Sequence, residues 1–79
     1  MCKFITNINS IDSVKRFCHL TSKCIGDVDA VSGHHIVDAK SIMGLFSLDL
    51  SKDIEIQVHT DSDIEYLKNA FKTEGLIFK

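Results

Sequence analysis

Along residues 3–8, "KFITNI", apolar and polar side chains alternate, with Phe4, Thr6 and Ile8 on one side. That period of two predicts a half-buried strand. The period then changes: in "NSIDSVKRFCHLTSKC", Ile11, Val14, Phe17, Cys18 and Thr21 recur at helical spacing, with Ser10 before them as an N-cap. "DVDAV" and "HHIVDA" read as two strands joined at Ser32–Gly33, where glycine accepts the positive φ of a tight turn. Residues 52–59, "KDIEIQVH", give the cleanest strand, Ile54, Ile56 and Val58 inward and Glu55, Gln57 and His59 outward. A last helix is expected from "TDSD" onward. Ser62 and Glu65 have capping-box spacing, Ile64, Leu67, Ala70 and Phe71 form its buried stripe, and Gly75 stops it.

Residues 39–50, "AKSIMGLFSLDL", fit neither pattern well. Ser41 is a good N-cap for a short helix, but Ile42, Met43, Leu45 and Phe46 crowd around Gly44, and spacing alone fits a wholly buried segment as well as one with an exposed apolar side. The element order is therefore βαββαβα. Alternation in every strand leaves each with one buried face, which predicts an α+β fold: an antiparallel sheet with the helices on one side.

Composition narrows the function classes. Seventy-nine residues are expected to form a single domain over 1–79. A net charge of -2, with Arg16 as the sole arginine, supplies no basic stripe for nucleic acid and no bidentate phosphate clamp. Cys2, Cys18 and Cys24 lack paired spacing and suit a reducing, cytoplasmic compartment. No run approaches the roughly 18 apolar residues of a membrane span.

The order βαββαβα at this length, with "KSIMGLFSLDL" at its middle, resembles HPr, the histidine-containing phosphocarrier protein of the bacterial sugar phosphotransferase system. The similarity runs from Ser10 to about Leu50 through "TSK" and "DVDAVSGHHIVDAKSIMG", and returns in the closing "EGL". It implies an open-faced β-sandwich, a four-stranded antiparallel sheet with three helices on one face. It also implies that the short helix leaves an apolar docking patch exposed. By position, Ile42, Met43 and Phe46 would form the patch, while Leu45 and Leu48 would pack inward. Partners implied are the phosphotransferase-system enzymes, the dedicated HPr kinase and a transcriptional regulator; no cofactor, metal, nucleic acid or membrane is implied.

The chain departs from the family where its chemistry lies. A phosphoacceptor histidine at the head of the first long helix is followed by an arginine and then a proline. Here Ser10 occupies the histidine position, Asp12 the arginine position and Ser13 the proline position. Imidazole gives a high-energy phosphoramidate, whereas serine gives a stable ester. Asp12 would repel the dianion that an arginine holds. His19, His34, His35 and His59 lie away from that helix start, and neither they nor the cysteines have a metal-ligand spacing. Cys18 falls on the apolar stripe and reads as core.

What the resemblance leaves is Ser41, at the family's regulatory phosphorylation site, with Lys40 beside it as a counter-charge. A kept serine and docking helix with a lost histidine resembles the catabolite-repression HPr-like proteins, although those keep the arginine that Asp12 replaces. The expected function is a non-catalytic regulatory adaptor of sugar transport, not an enzyme. A phosphocarrier component with Ser10 as an unconventional acceptor, or a module that homodimerises through Ile42, Met43 and Phe46, are the alternatives.

Overall fold

Ile54, Ile56 and Val58, the alternating residues of the cleanest predicted strand, are all fully buried, and the sheet is built around them. The computed structural model describes residues 2–75. Its elements are β1 (Cys2–Thr6), α1 (Ile11–Thr21), β2 (Val28–Ser32), β3 (His35–Asp38), α2 (Ile42–Phe46), β4 (Ile54–Val58) and α3 (Asp61–Glu74). The order is the expected βαββαβα. The four strands line up as β1-β4-β2-β3, and every neighbouring pair is antiparallel.

One face of this sheet carries Phe4, Thr6, Val28, Ala30, Ile54, Ile56 and Val58, all buried. The helices close over it with Val14, Phe17 and Leu20 from α1, Leu45 from α2, and Leu67 and Phe71 from α3. The opposite face, with Lys3, Asp29, Glu55, Gln57 and Asp38, has no covering layer among the described residues. This is the open-faced α+β sandwich that strand alternation demands. Phe71 locks its layers together: its ring meets Phe4 edge-on at 5.5 Å and lies tilted against Phe17 at 5.6 Å.

Local chemistry explains most boundaries. Ser10 Oγ accepts from the Ser13 amide at 3.1 Å and Ser41 Oγ from the Gly44 amide at 3.2 Å, so both predicted caps form. Gly75 ends α3 with φ 71°. The hairpin turn is one residue later than expected, on Gly33 and His34, with Gly33 at φ 60° and Ser32 opposite His35.

Three expectations need correction. The first strand stops at Thr6, although Ile8 beyond it is still buried. Ile11 is 65% exposed, because it opens α1 before the helical stripe has reached the sheet. Ser62 and Glu65 form no capping box: the cap position is Thr60, and Ser62 lies exposed within the first turn. The residue that matters there is Asp63, buried at 3% exposure, whose carboxylate accepts from the amides of Ile25 at 2.9 Å and Gly26 at 2.8 Å. The loop can sit that close only because residue 26 is glycine. A Cβ there would run into the Thr60 hydroxyl and lie 2.9 Å from the Thr60 Cβ. Of the closing "EGL", Leu76 lies outside the described residues.

Candidate functional site

At the start of α1 the Ser10 hydroxyl is committed twice. It accepts from the Ser13 amide and donates to Ser13 Oγ at 2.8 Å. Two residues on, the exposed Asp12 carboxylate lies 3.1 Å from Arg16 Nε across one helical turn. Arg16 Nε makes no hydrogen bond in this arrangement, so the contact is an ion pair without directed geometry. Arg16 Nη1 instead donates to the Glu74 carbonyl at 2.9 Å, tying α1 to the end of α3. The only arginine of the chain is therefore held by Asp12 and Glu74. No histidine stands at this helix start.

The second part is α2. Met43 is 78% exposed, Phe46 41% and Ile42 37%, while Leu45 is fully buried and Leu48 nearly so. A five-residue helix has little stability of its own. It is placed by Leu45 in the core and by a close approach to β3, where a Cβ on Gly44 would lie 3.3 Å from the Val37 Cβ. Ile42, Met43 and Phe46 thus lie together as exposed apolar side chains on α2. Replacing Met43 with serine should shift stability by no more than about 0.5 kcal/mol, whereas Leu45→Ala should cost roughly 2–5 kcal/mol. Thermal melts of the two variants check this. Equal losses would mean that Met43 is core.

Ser41 is half-buried at the head of α2. Lys40 does not serve it in the expected way. Its ammonium donates to the Cys24 carbonyl at 3.0 Å, pinning α2's entry to the loop after α1. Cys18 Sγ donates to the Lys40 carbonyl at 3.3 Å. Burial pushes the Cys18 thiol up, helped by Asp38. Burial, with Asp63 second, pushes the Cys24 thiol up to about 11. Both stay protonated near neutrality and are poor nucleophiles.

The histidines are scattered. His19 lies exposed in the last turn of α1, and His34 and His35 are exposed at the hairpin. His59 Nε2 lies 3.0 Å from Asp29 Oδ2 on the open face of the sheet. No group of three or more His, Cys, Asp or Glu gathers to hold a metal ion among the described residues. No described helix is long and apolar enough to cross a membrane. Sequence reasoning missed Asp63, because an aspartate in a first helical turn reads as a simple dipole complement. It also passed over Ile36, 67% exposed on β3; alternation with the half-buried Val37 was the signal available.

No curated protein matches the chain. A family model does, that of the PTS HPr component phosphorylation site, over residues 13–71. The match begins two residues into α1, just after Asp12, and runs through most of α3. With that match on a four-stranded sheet of order β1-β4-β2-β3, the chain belongs to the HPr family of the sugar phosphotransferase system.

Proposed function

We propose that this protein is a regulatory adaptor of the phosphotransferase system that works by protein–protein contact through α2 and relays no phosphohistidine. The observation that carries the reading is the start of α1. A serine hydroxyl is locked into the helix cap and an exposed Asp12 carboxylate lies beside it, and in this reading they take the places of the family's imidazole and guanidinium. A phosphoryl group arriving there meets a like charge and no acceptor that forms a high-energy bond.

The contact surface of this reading is Ile42, Met43 and Phe46, presented by the anchored Leu45. Methionine adapts to partners of different shape, and a partner with an apolar groove would take Met43 and Phe46 as anchors. Ser41 is the candidate regulatory site. A phosphate on its Oγ would add charge of about -1.5 to -2 beside Ile42 and Met43 and change which partners the patch accepts. Phosphotransferase-system enzymes, HPr kinase and a transcriptional regulator are the proposed partners.

Incubation with phosphoenolpyruvate and the two general phosphotransferase proteins, followed by mass spectrometry, tests the reading. The expected result is no acid-labile phosphate. A gain of one phosphate that is lost in acid would overturn it. Ser10→His alone should restore little transfer, because Asp12 still opposes the charge, and adding Asp12→Arg should raise it. Family-like transfer from the single substitution would show that the charge at Asp12 is irrelevant.

A further inference from the structure

We infer that Lys40 transmits regulation from Ser41: a phosphate there draws the Lys40 ammonium off the Cys24 carbonyl and loosens the loop of residues 22–26. The inference rests on the reading of Ser41 as a regulatory site, and states what the modification does away from the α2 surface. Its basis is the peptide unit between Cys24 and Ile25, which is gripped at both ends. The Lys40 ammonium donates to its carbonyl at 3.0 Å, and its amide donates to Asp63 Oδ1 at 2.9 Å. The Gly26 amide donates to the other carboxylate oxygen at 2.8 Å. A cation at the entry of α2 and an anion in the first turn of α3 thus polarise one amide group in the same sense, which strengthens both bonds. Before that unit, the Lys23 and Cys24 amides only continue α1, bonding to the Leu20 and Thr21 carbonyls. Side-chain burial does not fix Ile25, which is 83% exposed.

The same lysine is the residue next to Ser41. The Ser41 hydroxyl oxygen accepts from the Gly44 amide at 3.2 Å, so an ester oxygen can stay at that cap while the remaining phosphate oxygens lie beyond it. A nucleoside triphosphate supplies the group. Its terminal phosphoryl bond breaks, Ser41 Oγ bonds to phosphorus, the hydroxyl proton passes to solvent and the nucleoside diphosphate leaves. The product puts a charge of about -1.5 to -2 within reach of an ammonium on a flexible four-carbon stem. A neutral carbonyl competes poorly with that dianion, because bonds between ionised partners are the stronger ones.

Once Lys40 moves, the Cys24–Ile25 peptide is held by Asp63 alone. Phosphorylation then alters two surfaces, the α2 patch by charge and the Ile25 loop by release. Linkage makes the effect reciprocal: a partner that binds the loop in its held form would bind unmodified protein more tightly.

Amide hydrogen exchange read by NMR tests the inference on protein with phosphoserine installed at Ser41 during synthesis. The outcome then does not depend on a kinase accepting the chain. Treating wild type with HPr kinase and nucleoside triphosphate tests separately whether Ser41 is the regulatory site. Phosphorylated protein should exchange the Ile25 amide about tenfold faster, with a much smaller change at the Ile56 amide of β4. Lys40→Met, which keeps the apolar stem and removes the cation, should by itself speed Ile25 exchange to a similar degree. Phosphorylation should add little in that background. Unchanged Ile25 exchange on phosphorylation overturns the inference, and so does equal acceleration by phosphate with and without Lys40. Acceleration at Ile56 as large as at Ile25 would mean a global loss of stability and would overturn it too.

Discussion

Replacing Phe71 with alanine is expected to cost about 3–5 kcal/mol, the usual range for emptying a fully buried aromatic site. Phe71 has no exposed surface and joins three elements, through Phe4 on β1 and Phe17 on α1 while itself on α3. Its loss removes transfer free energy, leaves a cavity between sheet and helices, and breaks two ring contacts. A chain of 79 residues has roughly 4–12 kcal/mol of total stability. The variant should therefore stand close to unfolding at room temperature. Urea titration of wild type, Phe71→Leu and Phe71→Ala checks this, with leucine giving the smaller loss. A loss under about 1 kcal/mol for alanine would mean that α3 can collapse onto the sheet and that the three rings are not a packing unit.

Asp63→Ala should be nearly as damaging, at about 2–4 kcal/mol, for a different reason. The carboxylate is the acceptor for the Ile25 and Gly26 amides, and alanine leaves two part-buried donors facing nothing. Asp63→Asn keeps one acceptor oxygen and turns an amide group toward the other donor, so its loss should lie between wild type and alanine. Gly26→Ala attacks the same junction from the other side, by forcing a methyl into Thr60. Denaturant midpoints rank the three. If Asp63→Ala and Asp63→Asn were both within about 0.5 kcal/mol of wild type, the loop would be held by something other than this carboxylate.

These two positions also mark what was legible in the sequence. Phe71 could be placed in the core from spacing, because its stripe with Ile64, Leu67 and Ala70 repeats at the helical period. The strand alternation of Ile54, Ile56 and Val58, the caps at Ser10 and Ser41, and the stop at Gly75 were equally local signals. Asp63 was not legible, because its role depends on amides some 37 residues away that only the fold brings near. Ile11 misled for a related reason: periodicity says which residues share a helical face, not where along the helix that face meets the sheet. Lys40 was read as a neighbour of Ser41 in sequence, yet its long side chain reaches to the Cys24 carbonyl. At the start of α1, Ser10 and Asp12 draw notice in the sequence only through the resemblance to the family pattern. The closed hydrogen-bond loop of Ser10 with Ser13 depends on the side-chain rotamers that the folded cap selects.

The strand order carries a consequence for synthesis on the ribosome. β1 is made before the other six elements described, but among the described residues its only neighbour in the sheet is β4, with Thr6 opposite Ile54. The β2–β3 hairpin can close as soon as it emerges. Phe4 and Thr6 must wait for nearly fifty further residues, which at bacterial-to-eukaryotic elongation rates takes roughly 2–10 s. Throughout that interval the amino-terminal strand is an unpaired edge with an apolar face, and α1 has only half its floor. Nascent β1 thus stays unpaired for longer than the finished domain needs to fold, since mixed α/β domains of this size fold in well under a second. The same strand that completes the sheet last in time is the one translated before the other described elements.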